Sequence, residues 1–203
     1  MTSLYTSFFV TVLSALICLP AAYAFARLNF PGRTPLLLSF LATNAFPRFG
    51  LYVTIAVIFF RLQLVGTVAG VVLIQLINTL LFMIWIPTAA FQASIGPWKR
   101  LPSMWCVPAA RLHPDHTPLV LPALSAALLL TFVGAFYETQ GALLIGVPNV
   151  RTLPVVMILL INNQVVVQYG AILSVVLWIP SVILLVFAQR VLRGGTLAAG
   201  FGV

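Results

Sequence analysis

From Leu4 to Ala26 the chain carries no charged side chain. A run of that length matches the ~20 apolar residues that a helix needs to cross a bilayer's hydrocarbon core. Further runs of the same kind follow. Only 6% of the 203 residues are charged and 62% are hydrophobic, where a soluble domain carries roughly 25% charged residues. The chain reads as an integral membrane protein and a single transmembrane domain over residues 1–203. Its fold class is all-α, a polytopic bundle of about five transmembrane helices. The first run lacks a basic start and is too long for a signal peptide's apolar core, so it is expected to be retained as a span.

The other spans are less regular. Residues 35–60 carry Asn44, Pro47, Arg48 and Gly50 near their centre. Proline and glycine there predict a broken helix, which a membrane tolerates only where the freed backbone lines a cavity or is buried in protein. A lone Arg at bilayer depth is costly, so Arg48 is expected to face protein or water inside the bundle. Residues 65–90 form the third span, with Gln75, Asn78 and Thr79 grouped within about a turn. Residues 117–137 form the fourth. Residues 153–189 are too long for one crossing and are divided by Asn162, Asn163, Gln164 and Gln168. They divide into a re-entrant or surface helix over 153–167 and a fifth span over 169–189. The tail from Gly194 is expected to be mobile.

Between the third and fourth spans lies a polar interruption over residues 91–122. It holds Lys99, Arg100, Arg111, His113, Asp115 and His116, and so one of the chain's two acids. The positive-inside rule sets its side. With Arg27, Arg33, Lys99, Arg100, Arg111, Arg190 and Arg193 inside, only Arg61 and Arg151 lie outside, and Arg48 is in the membrane. The N-terminus is then outside and the C-terminus cytoplasmic. The 91–117 loop faces the cytoplasm, where it reads as a docking loop.

Several functions find no support. The basic residues flank apolar runs as topology signals, so the +8 net charge does not point to nucleic acid. Cys18 sits in an apolar run and Cys106 in the basic loop, which makes no disulfide framework. The sequence His113-Pro114-Asp115-His116 offers three ligand types, but Pro114 opposes the helix that would converge them, so no metal site is expected. No paired carboxylates, nucleophile–base spacing or phosphate-binding glycine loop is present. No cofactor is expected, and the chain should not hydrolyse ATP itself.

The loop and its neighbours carry a family resemblance. Pro108-Ala109-Ala110-Arg111-Leu112-His113-Pro114, then Val120-Leu121-Pro122, resembles the cytoplasmic E-A-A…G…L-P signature of permease subunits of binding-protein-dependent ABC importers. Pro102 matches a proline that often precedes it. SLYTSFFVTVLSALICLPAAYAFARLNFPGR (3–33) resembles the family's S-L-x-x-S…G-x-P-x-A-Y-x-x-A-R…F-x-G-R segment. LVGTVAGVVLIQLINTLLFMIWI (64–86) resembles its L-x-G-T…H-T…P-F segment. YETQGALLIGVPNVRTLPV resembles the stretch before the last span. RVLRGGTLAAG resembles the tail of members handling polyamines, opines, phosphonates or ferric iron. Three departures stand out: the signature's glutamate is Pro108, its glycine is Pro114, and the spacer to Leu121-Pro122 is about two residues short. The family also usually has one more N-terminal span, so the resemblance leaves a shortened permease, a fragment and a degenerate copy as alternatives.

The resemblance implies a translocation subunit in a bacterial plasma (inner) membrane. It implies three partners: a cytoplasmic ABC ATPase, a second permease subunit (a copy or a relative) and an extracytoplasmic solute-binding protein. The ATPase-docking residues would be Pro102, Pro108, Ala109, Ala110, Arg111, Leu112, Leu121 and Pro122. Ala109 and Ala110 would form the packed face and Arg111 would meet an acidic patch or serve as a topology charge. Candidate pathway residues are Asn44, Arg48, Gln75, Asn78 and Glu138. Arg48 would contact solute, cap broken-helix carbonyls or pair with Glu138. Asn44, Gln75 and Asn78 would line the pathway or hydrogen-bond between helices. Tyr137 and Glu138 would sit at the outer end, as solute contacts or as an ordinary interfacial pair. The rival readings are a permease-like or scaffold subunit without transport activity, and a membrane enzyme whose catalytic cluster is not visible.

Overall fold

The computed structural model describes residues 2–43, 47–93, 117–164 and 167–194. All regular structure among them is helical. In chain order the helices are α1 (Thr2–Arg27), α2 (Arg33–Thr43), α3 (Arg48–Arg61), α4 (Val68–Ala93), α5 (Thr117–Tyr137), α6 (Gln140–Gly146), α7 (Leu153–Gln164) and α8 (Val167–Gly194). Helix is the form that satisfies every backbone N–H and C=O within one segment, as lipid demands. Three of these, α1, α4 and α5 from Val120, are long and apolar enough to cross a membrane. The second apolar run is divided as its Pro47 and Arg48 predict, into α2 and α3. The last long run divides into α7 and α8.

Helices α1, α4 and α5 pack on one another and form the centre. The buried stripe of α1 explains why they come close. Ser3, Ser7, Ser14, Cys18, Ala22 and Ala26 recur at three- and four-residue steps and are all small and buried, with Val10 the one larger member. Small residues let helix backbones approach in lipid, where there is no hydrophobic drive to association and close packing supplies the attraction. The Ser14 hydroxyl is 2.9 Å from that of Thr79 on α4, an interhelical bond of the kind worth about 0.6 kcal/mol in membranes.

The core falls into three patches along the bundle. Toward the C-terminal end of α1, Cys18, Phe25, Met83, Ile84 and Ala127 meet. Val10, Val72 and Ala135 fill the middle. Toward the N-terminal end of α4, Tyr52, Val71, Ile74, Ala142, Ile145, Val150 and Val155 bring α3, α4, α6 and α7 together. The surface is correspondingly apolar: Leu16, Phe60 and Trp178 are each about two-thirds exposed (68%, 68% and 66%), as expected where lipid is the solvent.

The end of the bundle where α1 and α4 start is closed by local bonds. The Gly66 N–H donates to the Ile145 carbonyl at 2.6 Å. Thr67 caps α4 by accepting the Gly70 N–H at 3.0 Å, which satisfies one of the orphan donors of a helix start. Gly70 itself must lack a side chain, because a Cβ would collide with the Leu64 carbonyl and lie 2.9 Å from Ile145 Cγ2. The Thr2 hydroxyl donates to the Arg151 carbonyl at 2.9 Å. The Leu153 N–H donates to Ser3 Oγ at 2.6 Å. The start of α1 is thus tied to the start of α7.

Candidate functional site

Most of the docking residues named from the sequence, Pro102, Pro108, Ala109, Ala110, Arg111 and Leu112, lie outside the described residues, as does Asn44. The two that are described begin α5. Leu121 is 60% exposed and Pro122 lies within the helix, where its carbonyl accepts the Ser125 hydroxyl at 2.8 Å.

The structure brings three of the other candidates to one junction, where α3, α4 and α6 meet. Glu138 follows α5 directly. Its carboxylate accepts the Gly141 N–H at 2.8 Å on Oε1 and the Ala142 N–H at 3.1 Å on Oε2. These are the first free donors of α6, and a negative group is favoured at a helix N-terminus. Burial is the largest influence on this carboxyl and pushes it above its ordinary range, while the Gly141 and Ala142 N–H groups pull it back. Glu138 is therefore not the solvated interfacial acid that its position in the sequence suggests. The sequence held one signal for this role, an acid placed just before the 140–146 segment. That segment's glycines and short length hid a helix.

Gln75 reaches the same place from α4 and is 1% exposed. Its amide is near enough to Glu138 to favour the charged carboxylate, but neither amide atom completes a hydrogen bond of good length and angle. The interhelical bond expected of the Gln75–Thr79 group is made by Thr79 instead. Asn78 is half-buried. Gly141 leaves room for this arrangement: a Cβ there would lie 3.0 Å from Ile74 Cγ2 and 3.2 Å from Glu138 Oε2.

Tyr52 of α3 is 2% exposed and lies within electrostatic reach of both Glu138 and Arg48. Arg48, expected inside the bundle, instead stands exposed at the first turn of α3. Arg48 and Tyr52, four residues apart, share a face of α3; Tyr52 is buried among residues of α4 and α6, and Arg48, at the first turn, is exposed. Tyr137, beside Glu138, donates its hydroxyl to the Leu177 carbonyl at 2.7 Å and so ties α5 to α8. No group of three or more metal-ligating side chains occurs among the described residues. The junction is a buried carboxylate, an amide and a phenol, with one guanidinium at its open edge. Among the described residues it offers no nucleophile with a base.

No protein-family profile matches the chain. It is similar to an ABC transporter permease protein, ORF1, of Streptomyces antibioticus, at 27% identity over 198 residues covering 96% of this chain and 86% of that protein. It is also similar to the trehalose/maltose transport system permease protein MalG of Thermococcus litoralis, at 29% identity over 195 residues covering 93% of this chain and 69% of that protein. Both are permease proteins, and the likeness runs through nearly the whole chain. One of them is named for sugars, outside the polyamine, opine, phosphonate or iron grouping that the tail resembles.

Proposed function

We propose that this chain is the translocation-pathway subunit of an ATP-driven solute importer. The observation that carries the reading is the near full-length similarity to two ABC transporter permease proteins, on a chain with three helices fit to cross a membrane. In this reading the basic 91–117 loop and the start of α5 dock a cytoplasmic ATPase. A second permease subunit, a copy or a relative, completes the pathway. An extracytoplasmic binding protein delivers solute at the end where α6 and α7 lie. The energy source is the partner's ATP; this chain supplies the path, and movement of the ATPase rocks its helices between inward and outward states. The N-terminus is outside and the C-terminus cytoplasmic. For solute, the RVLRGGTLAAG text leans to the polyamine, opine, phosphonate or ferric-iron group, and the trehalose/maltose relative supports a sugar as the alternative. A radiolabelled uptake panel across those solutes separates them.

A second reading, a degenerate permease or scaffold that assembles without transporting, is favoured by Pro108 and Pro114. An interior proline costs a helix about 3 kcal/mol, which opposes a docking helix at those positions. Purification from native membranes through a tag on this chain decides between them. An ABC ATPase that co-purifies, and is lost when Ala109→Glu and Ala110→Glu are introduced, supports the importer. Recovery of the chain with no ATPase refutes docking and leaves the scaffold.

A further inference from the structure

Four helices carry an internal proline: Pro20 in α1, Pro87 in α4, Pro122 in α5 and Pro180 in α8. A proline removes the N–H that would bond the carbonyl four residues back and its ring presses on that carbonyl, so it is where a helix bends. Pro20 thus deprives the Leu16 carbonyl of its intrahelical donor, and Pro87 does the same to Met83. Leu16 is exposed, whereas Met83 is fully buried.

Pro20 and Pro87 stand at one level of the bundle. The Thr88 hydroxyl, next to Pro87, donates within α4 to the Ile84 carbonyl and lies 3.4 Å from the Ala22 carbonyl of α1, two residues beyond Pro20. Past both prolines the two helix ends are clamped together. Tyr23 meets Phe91 edge to face at 5.5 Å. The Arg27 guanidinium sits 5.9 Å from the centre of the Tyr23 ring. Phe25 packs on Phe30 at 5.7 Å and on Phe40 at 6.1 Å, which draws in the turn after α1 and helix α2. On the other side of the prolines, α1 and α4 are joined by the Ser14–Thr79 bond. Each helix is therefore attached to its neighbour both above and below its weakest point.

We propose that Pro20 and Pro87 form a paired hinge, on which the inner ends of α1 and α4 swing as one unit against the outer bundle. Two helices each weakened by a proline at one level and clamped beyond it cannot swing separately without breaking the Tyr23–Phe91 contact. The hinge rests on packing alone. Its use, carrying movement at the inner end of α4 into the bundle, rests on the permease reading.

The test measures distance distributions between spin labels in the full chain in lipid nanodiscs, with Cys18→Ala and Cys106→Ser as background. A label pair at Leu73 and Gln92 spans Pro87 in α4; a pair at Leu4 and Leu16 stays on one side of Pro20 and gives the reference width. The expected result is a broad Leu73–Gln92 distribution that loses its broad component in Pro20→Ala, a change on the other helix. Pro20 is exposed, so this variant restores a helical N–H without opening the core. Adding Thr88→Val and Tyr23→Ala to Pro20→Ala should return the broad component. A Leu73–Gln92 distribution as narrow as the reference refutes the hinge. A broad one indifferent to Pro20→Ala refutes the pairing. Neither outcome depends on an ATPase, so the permease reading stands or falls separately.

Discussion

Replacing Glu138 by alanine should loosen the end of the bundle that holds α6 by about 2–4 kcal/mol. The carboxylate accepts two backbone N–H groups, at 2.8 and 3.1 Å, and is 8% exposed. Hydrogen bonds to a charged group contribute roughly 1.5–3 kcal/mol each, and a buried donor left unsatisfied costs about 1–3 kcal/mol. Against that, removing the carboxylate relieves its own cost of burial, which brings the net below the sum of the two bonds. For a chain of this size 1 kcal/mol shifts a melting midpoint by roughly 2–4 °C, so the expected drop is about 4–16 °C. Glu138→Gln keeps one acceptor oxygen and should lose about half as much. The assay is thermal melting of the purified chain in detergent, read as surviving monodisperse protein by size exclusion. If Glu138→Ala melts within about 2 °C of the parent, the carboxylate does not hold α6 and the assignment is wrong. If Glu138→Gln falls as far as Glu138→Ala, geometry rather than the acceptor atoms is responsible.

Three further outcomes follow from packing. Gly70→Ala places a methyl group into the Leu64 carbonyl and against Ile145, so it should cost at least the ~3 kcal/mol at the top of the usual overpacking range and abolish recovery of folded chain; normal yield would contradict the close approach. Ser14→Ala and Thr79→Val should show a coupling of about 0.6 kcal/mol in a double-mutant cycle, and zero coupling would mean the 2.9 Å contact contributes nothing. Gln75→Leu should leave stability unchanged or raise it by about 1 kcal/mol, because it removes a buried amide with no completed bond; a clear loss of stability would mean that the amide is satisfied.

What the sequence made legible is what charge and proline control. The spans can be read because a charged residue is nearly excluded from them, and each break falls where Pro47 and Arg48 or the Asn162–Gln168 group interrupts the run. Choices among polar partners could not be read. Gln75 and Thr79 sit one turn apart on α4, and nothing in their spacing says which will meet α1. The answer depends on Ser14, a residue 65 positions away in sequence, which the small-residue stripe brings close. Helix α6 was hidden for a different reason. Its seven residues are too few to show a period, and its stability comes from Glu138 and from packing on Val71 and Ile74 rather than from propensity.

Arg48 follows from the same reasoning carried one step further. The apolar part of α3, from Phe49 to Phe60, is about 12 residues and so roughly 18 Å long, well short of the ~30 Å hydrocarbon core. In the proposed topology Arg61 ends the helix at the outer face, at the turn into α4, and this puts Arg48, at the start of the helix, within the bilayer's depth. Exposure to lipid there would cost at least about 2.5 kcal/mol, yet Arg48 is an exposed residue on this chain. In the proposed function Arg48 meets water or protein beside a pathway shared with a second permease subunit. Arg48→Cys, in the background with Cys18 and Cys106 replaced, should therefore react in intact membranes with a charged thiol reagent that lipid excludes. Val57→Cys, exposed on the opposite face of α3 from Arg48, reports whether water reaches that face too. If Arg48→Cys reacts only with a membrane-soluble reagent, its surroundings are lipid, and the case for α3 beside the pathway fails.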